Sequence, residues 1–166
     1  MGRIMAIWAR IKNLKFKQLL VLAQLSIQHP TSILPTYKAT KNSMAICDRR
    51  FGNAHHKDNE TNAFRHALWN FLIAEYCFRG NDSVKKSVNW AKRITDLHER
   101  LSPNELLAKT MDLHNNQQGR VLFEEGIKEE QIVSVLQQKM KKALKIVSPE
   151  DAKKAPQQLI YIAHER

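Results

Sequence analysis

The feature that most constrains the fold is an apolar run at residues 60–78 that repeats with the period of a helix. Its apolar side chains occur on almost every side, which indicates a helix buried within a core. Asn62, His66 and Asn70 nevertheless recur every four residues, and Arg65 lies beside them. Because four-residue steps drift by only about 40° on an α-helix, these polar side chains share one face. The segment predicts a buried helix that carries a polar stripe.

Two later segments also combine an apolar period with polar side chains. One ends with His98 on its apolar side and Glu99 next to it. The other carries a polar stripe at four-residue intervals, formed by Asp112, Asn116 and Arg120. Asn115 and Gly119 form a neighbouring pair on the same helix. A buried polar group without a partner costs about 1–3 kcal/mol, so these groups must satisfy one another or bind something. We therefore expect three helices to meet at one polar centre.

Gly119 is an unusual residue for the interior of a helix. Glycine costs about 1 kcal/mol relative to alanine at such a position. Its presence indicates close approach of another backbone or of a ligand.

The scarcity of glycine and proline, five of each, argues against a turn-rich β fold. The expected fold is all-α, a single domain over residues 1–166 with a motif-bearing core at 60–126. The predicted bundle has about six helices, and its third, fourth and fifth members form the polar centre. These helices are residues 3–28, 37–51, 60–78, 84–101, 103–125 and 128–147.

Local signals set the expected helix boundaries. The stretch "PTSILPTY" at 30–37 is typical of a proline-bounded connection, and "NAHHKDNE" at 53–60 predicts a polar loop. One of Asn81, Asp82 and Ser83 is the expected N-cap of the fourth helix. "SPNE" predicts the start of the fifth, with Ser102 as N-cap, Pro103 at the first position and Glu105 closing a capping box. Ser148–Asp151 predicts a short helix or turn, and the tail 157–166 is compatible with strand or helix.

The net charge of +11 is concentrated at the beginning of the chain, where residues 1–50 hold nine Lys or Arg and one acid. Residues 1–28 predict a basic amphipathic helix with Trp8 on its apolar face. Such a helix can lie on an anionic membrane surface, here through residues 1–20, or pack against the domain. Nucleic acid is a less favoured partner because no basic face is interleaved with aromatic side chains.

Several classes of protein are excluded by what the sequence lacks. No stretch approaches the roughly 20 apolar residues of a membrane span, and the beginning does not resemble a secretory signal. Cys47 and Cys77 are isolated, which favours free thiols in a reducing compartment. The expected location is cytoplasmic, with peripheral association at the inner membrane as an extension. Signatures of zinc proteases, serine hydrolases and P-loop proteins are also missing.

The expected polar centre has the ligand chemistry of a borderline or hard cation such as Zn, Mn or Ca. The candidate metal ligands are His66, His98 and Asp112. The candidate catalytic residues are Arg65, His66, His98, Glu99, Asp112 and Arg120. The candidate substrate-binding residues are Asn62, Asn70, Asn115 and Asn116. The pair His55–His56 in the polar loop is an additional but less favoured source of ligands.

Three blocks follow one another along the chain: "NAFRHALWN" at 62–70, "WAKRITDLHE" at 90–99 and "MDLHNNQQGR" at 111–120. Together they resemble an uncharacterised group of bacterial all-helical domains, found as small stand-alone proteins and as C-terminal modules of polymorphic or Rhs-type toxins. The shared pattern is R-H-A-x-W-N, then a helix ending in H-E, then D-x-x-N-N-x-x-G. The resemblance implies a polar centre of Arg65, His66, Asn70, His98, Glu99, Asp112, Asn115 and Asn116. It implies no specific reaction.

Two hypotheses of different kinds follow. In the first, the protein is a metal-assisted hydrolase of a phosphodiester or ester, and phospholipid, nucleic acid or cell wall are substrates suggested by the toxin context. His66 and His98 with Asp112 or Glu99 would hold the cation, a spare base would activate water, and Arg65 or Arg120 would stabilise negative charge. In the second, the chain is a non-enzymatic peripheral-membrane or protein-interaction module, and its buried network only fixes helix register.

Overall fold

The computed structural model of the protein describes residues 24–25, 27–80, 83–101 and 105–162. Within these ranges lie five α-helices: α1 (Pro30–Phe51), α2 (Glu60–Arg79), α3 (Val84–Leu101), α4 (Leu106–Glu124) and α5 (Glu129–Lys141). Short 3-10 helices occupy Gly52–His56 and Pro149–Lys154, and the two-residue strands β1 (Leu144–Lys145) and β2 (Ile160–Tyr161) pair in parallel.

The prediction of an all-α single domain is confirmed. Residues 24–25 and 27–28 are also helical, which makes six helical segments among the described residues. The predicted break at His29–Pro30 is confirmed, because His29 is not helical. The rest of the predicted basic helix, including the proposed membrane-binding residues 1–20, lies outside the described ranges. No helix among the described residues is long and apolar enough to cross a membrane.

Helix α2 is the centre of the bundle and packs against α1, α3, α4 and α5. Its fully buried apolar side chains include Phe64, Leu68 and Phe71. The helix begins where the Asn59 side chain accepts hydrogen bonds from the backbone of Thr61 and Asn62. The prediction of a buried helix over 60–78 is therefore confirmed, and α2 continues by one residue to Arg79.

The prediction of a connection at 30–37 is wrong, because α1 begins at Pro30 and contains Pro35. Pro30 is tolerated at the first position, where an N–H would have no helical acceptor. Pro35 removes one backbone hydrogen bond, but α1 is held to the bundle by side chains. The Trp90 and Trp69 indoles donate to the hydroxyls of Thr36 and Thr40, each at 2.8 Å. Tertiary contacts thus override the local helix-breaking signal.

Two other predicted boundaries are wrong. Glu105 is an extended residue that precedes α4 and does not close a capping box inside it; Ser102 and Pro103 lie outside the described ranges. The sixth predicted helix ends at Lys141 instead of residue 147, because the chain turns into β1. There Leu144 donates to Leu159 and Ile146 to Tyr161, each at 2.9 Å. The predicted short helix after Ser148 is confirmed, and β2 shows that the tail contains a strand.

Helices α2 and α4 approach each other at Gly119. A Cβ atom at this residue would lie 2.0 Å from the Ala67 carbonyl oxygen and 2.8 Å from its carbonyl carbon. Backbone atoms cannot rotate away as a side chain can. The predicted close approach of another backbone at Gly119 is therefore confirmed, and the glycine sets the distance between the two helices.

Gly119→Ala should destabilise the fold although alanine is the better helix former. The methyl group forces α4 away from α2, and overpacking of this kind costs about 1–3 kcal/mol or more. For a domain of this size we expect a fall in Tm of roughly 5–10 °C in thermal unfolding followed by circular dichroism. Gln117→Ala, at an exposed position of the same helix, is the control and should leave Tm nearly unchanged. An unchanged Tm for Gly119→Ala would contradict the assigned contact.

Candidate functional site

One polar residue from each of three helices meets at the centre of the bundle. His66 of α2, Glu99 of α3 and Asp112 of α4 are 3%, 1% and 4% exposed. One ligand atom from each lies within 4.8 Å of the other two. His66 Nε2 is 3.2 Å from Asp112 Oδ1, and His66 Nδ1 is 3.8 Å from Glu99 Oε1. We call these three residues the triad; they could hold a metal ion.

A chain of hydrogen bonds fixes which nitrogen of His66 carries a proton. Arg120 Nη1 can only donate, so the atom 2.7 Å from it must be the Asn70 oxygen. The Asn70 amide nitrogen then donates to Asn116 Oδ1 at 2.7 Å. Since this oxygen only accepts, His66 Nδ1, 3.1 Å away, must be the N–H that donates to it. In neutral His66 the lone pair is therefore on Nε2.

Arg65 covers the lone pair of His66. Its Nη2 donates to His66 Nε2 at 2.9 Å and to Asn62 Oδ1 at 3.2 Å. The guanidinium is half-buried, whereas His66 and Asn62 are buried. Arg65 thus occupies the side of the triad on which His66 would offer its free nitrogen to a cation.

Burial controls the electrostatics of the triad. It lowers the pKa of His66 well below the usual range, and the Arg65 charge acts in the same direction. Burial, followed by the charge of Glu99, raises the pKa of Asp112 to about 8. Burial also raises the pKa of Glu99, although the Asn116 amide favours its charged form. At neutral pH the triad without a cation therefore holds a neutral imidazole and a protonated Asp112.

The buried polar groups of the centre have hydrogen-bond partners around Asn70 but lack well-formed ones around Glu99. Asn70 uses its whole amide, because its nitrogen donates twice and its oxygen lies near Arg120 and the Thr95 hydroxyl. In contrast, both oxygens of Glu99 and the Asn116 amide nitrogen are buried and make no hydrogen bond of good geometry among the described residues, although Asn116 and Asp112 lie close enough to Glu99 to affect its pKa. Each such group costs about 1–3 kcal/mol, and more if charged.

The structure brings most of the predicted site residues together, but not all of them. Asn62, Arg65, His66, Asn70, Glu99, Asp112, Asn116 and Arg120 form one connected centre. Asn115 lies outside it, because its amide donates to the Ile160 carbonyl at 2.8 Å and accepts from the Ile160 N–H at 3.0 Å. His98, one of the predicted metal ligands, is half-buried, packs edge-on against Trp69 at 5.3 Å and is not part of the triad.

Sequence reasoning missed Thr95 as a member of the centre and named Glu99 as a metal ligand only as an alternative to Asp112. The sequence does not single out Thr95, because a threonine in a helix commonly bonds to the carbonyl four residues earlier, and the Thr95 hydroxyl does so at Ala91. Glu99 follows His98 directly, and consecutive helical residues face different directions. The apolar period placed His98 on the core side, whereas the structure buries Glu99.

A second group with metal-ligating atoms lies at the end of α1 and comprises Asp48, His55 and His56. His55 is fully buried and its Nε2 is 2.9 Å from Asp48 Oδ1. The two imidazole rings lie 4.0 Å apart. Asp48 is thus already engaged with His55.

The pKa of Asp112 predicts how the stability of the metal-free protein depends on pH. Between pH 6.5 and about 8 the folded protein holds the Asp112 proton, whereas the unfolded chain has already lost it. The unfolded state binds fewer protons, so the free energy of unfolding should fall as pH rises, by up to about 1.4 kcal/mol per pH unit. His66 is neutral in the folded protein but partly protonated in the unfolded chain near pH 6.5, so it opposes this slope at the lower end of the window and has little effect above about pH 7.5.

Urea unfolding in the presence of a chelator, at several pH values from 6.5 to 8, measures this slope. Asp112→Asn should flatten it. Asp151→Asn is the control, because the pKa of Asp151 is lowered to about 2 and the group stays charged throughout the window. Equal slopes for the wild type and Asp112→Asn would contradict the assigned protonation.

Comparison with models of protein families gives a match. The family described as "Domain of unknown function (DUF6973)" matches residues 23–144, which include α1 to α5 and every residue of the triad. A search of the curated proteins found no match. Since the matched region covers most of the 166 residues, the chain belongs to the DUF6973 family.

Proposed function

We propose that the triad binds one divalent cation and that the protein is a metal-assisted hydrolase of a phosphodiester. The observation that carries this proposal is the convergence of His66, Glu99 and Asp112 within 4.8 Å, with neither Glu99 oxygen in a hydrogen bond of good geometry among the described residues. A cation would give those oxygens a partner. It would also replace the proton that keeps Asp112 neutral.

The chemistry of the donors narrows the choice of metal. One imidazole and two carboxylates suit Zn²⁺ or Mn²⁺, and three protein ligands leave a position for water or substrate. Ca²⁺ prefers six to eight oxygen ligands, which the triad does not supply. The Asn116 oxygen supports the site indirectly, because its bond to His66 Nδ1 directs the Nε2 lone pair toward Asp112.

In the proposed hydrolysis, Glu99 and Arg65 each have a specific role. A divalent cation held by His66, Glu99 and Asp112 would supply Lewis acidity toward the phosphate. One Glu99 oxygen accepts a proton from the attacking water as its oxygen bonds to phosphorus. The ester P–O bond breaks, and the leaving oxygen takes this proton from Glu99, which gives an alcohol and a phosphomonoester and returns Glu99 to its charged form. Arg65, released from His66, stabilises the negative charge that develops on the phosphate.

Glu99→Gln tests the proposal. The variant retains the shape of the side chain and removes a buried carboxylate, so we expect it to fold, with Tm equal to or above that of the wild type. Its affinity for Zn²⁺ or Mn²⁺ should fall about 100-fold or more, and hydrolysis of bis(p-nitrophenyl) phosphate should be lost. Isothermal titration calorimetry and release of p-nitrophenolate measure the two effects.

Glu130→Gln is the matched control, because it removes an exposed carboxylate of α5. It should retain metal affinity and activity. If the wild type binds neither metal at micromolar concentration, the metal proposal is wrong. If it binds metal but hydrolyses no phosphodiester, the hydrolase proposal is wrong and the metal site stands.

Arg65→Ala should separate metal binding from catalysis. Because Arg65 donates to His66 Nε2 and repels a cation, its removal should tighten Mn²⁺ binding by about tenfold. The same change should lower the rate of hydrolysis at saturating metal, since the stabilising charge is gone. Arg50→Ala, at an exposed position of α1, should change neither property. Weaker Mn²⁺ binding by Arg65→Ala would contradict the prediction that Arg65 blocks the cation from His66 Nε2.

A second candidate function, a purely structural network, is favoured by the complete hydrogen bonding of Asn70 with its neighbours. In that case the centre fixes the register of α2, α3 and α4 and holds no ion. Added Zn²⁺ or Mn²⁺ would then leave the wild-type Tm unchanged. A metal site predicts that the added ion raises the wild-type Tm, because a ligand of the native state raises its stability.

A further inference from the structure

The groove between α3 and α4 is a cavity of about 600 Å³ on the side of Arg120, with five basic side chains and one acidic one. The basic residues are Lys92, Arg93 and Arg100 of α3 with Lys109 and Arg120 of α4; the acid is Asp96. We propose that this groove binds a ligand with two or more phosphate groups. The proposal is separate from metal binding by the triad.

Few of the charges in the groove are neutralised by the protein. Lys92 forms an ion pair with Asp96. Arg93 bonds to His29 and Gln28, which are not acidic. For Arg93, Arg100, Lys109 and Arg120 no ion pair occurs within the described ranges. Cations gathered in one concave surface repel each other and concentrate an anion there.

Arg120 is the strongest single indication of an anionic ligand. It is only 7% exposed, yet its one hydrogen bond among the described residues goes to the neutral Asn70. A buried cation is costly unless it is paired, and Asp96 and Glu124 act on it only through longer-range attraction. Arg120 lines the groove, and an arginine guanidinium has the planar fork that binds phosphate oxygens in pairs.

The shape and lining of the groove narrow the class of ligand. On α3 the lining extends from Asn89 to Arg100, a distance of roughly 16 Å along a helix. This length accommodates more than one phosphate group. No aromatic side chain of the described residues lines the cavity, so nucleobases would have no stacking surface there. A small polyphosphate or a phosphate-bearing headgroup therefore fits better than single-stranded nucleic acid.

Inorganic tripolyphosphate is the probe, and calorimetry with the full chain in a chelator measures its binding without any metal. The double variant Arg100→Gln/Lys109→Gln removes two groove charges that have no ion pairs, so we expect it to fold with unchanged Tm. Its affinity for tripolyphosphate should fall at least about tenfold. The control Lys85→Gln/Lys86→Gln removes the same charge from exposed positions of α3 outside the groove. It should weaken binding less than about twofold.

The outcomes separate this proposal from that of the triad. Glu99→Gln should bind tripolyphosphate as the wild type does, even if it loses metal. Displacement of the probe by vesicles containing cardiolipin, whose headgroup carries two phosphates, would identify a lipid as the source of phosphate, and binding of the probe without displacement would favour a soluble polyphosphate; both support the groove. Equal loss in the two double variants would show attraction by net charge alone and would overturn the proposal. So would equal affinity for tripolyphosphate and citrate, or no binding.

Discussion

The contact between Gly119 and the Ala67 backbone is the constraint on which the polar centre depends. His66 and Asn70 lie on either side of Ala67 along α2, and Asn116 and Arg120 lie on either side of Gly119 along α4. Because the two backbones touch, these four side chains are within reach of short hydrogen bonds. A larger residue at 119 would separate Asn116 from both of its partners on α2. The glycine therefore positions polar groups by its lack of a side chain.

Arg120 sets the direction of the hydrogen bonds in this centre. Arg120 can only donate, and this property is passed through the amides of Asn70 and Asn116 to His66 Nδ1. A glutamine at position 120 could present either its oxygen or its nitrogen, and the tautomer of His66 would no longer be determined. One arginine about 12 Å along α4 from Asp112 thus decides which imidazole nitrogen faces the triad.

The sequence was sufficient to predict the buried helix and its polar stripe, because both follow from the helical period. It also predicted the close approach of another backbone at Gly119, because glycine inside a helix costs stability that a close contact explains. It could not decide between His98 and Glu99, which are adjacent and differ only in rotation about α3. Nor could it show that Asn115 belongs to β2, since Ile160 is distant in sequence. The error at Pro35 has the same origin, because contacts from Trp69 and Trp90 outweigh a local signal.

The distribution of unsatisfied groups argues for a ligand at the triad. Register between helices is already fixed where Asn70, Thr95 and Arg120 meet, and that part of the centre has its hydrogen bonds. Glu99 adds no hydrogen bond of good geometry to it, yet it places two oxygens out of water beside a second carboxyl group. A glutamine or methionine would fill the same volume at lower cost. Binding of a cation would explain why a carboxylate is present at position 99. Its negative charge destabilises the protein without a metal, but the same charge attracts a cation.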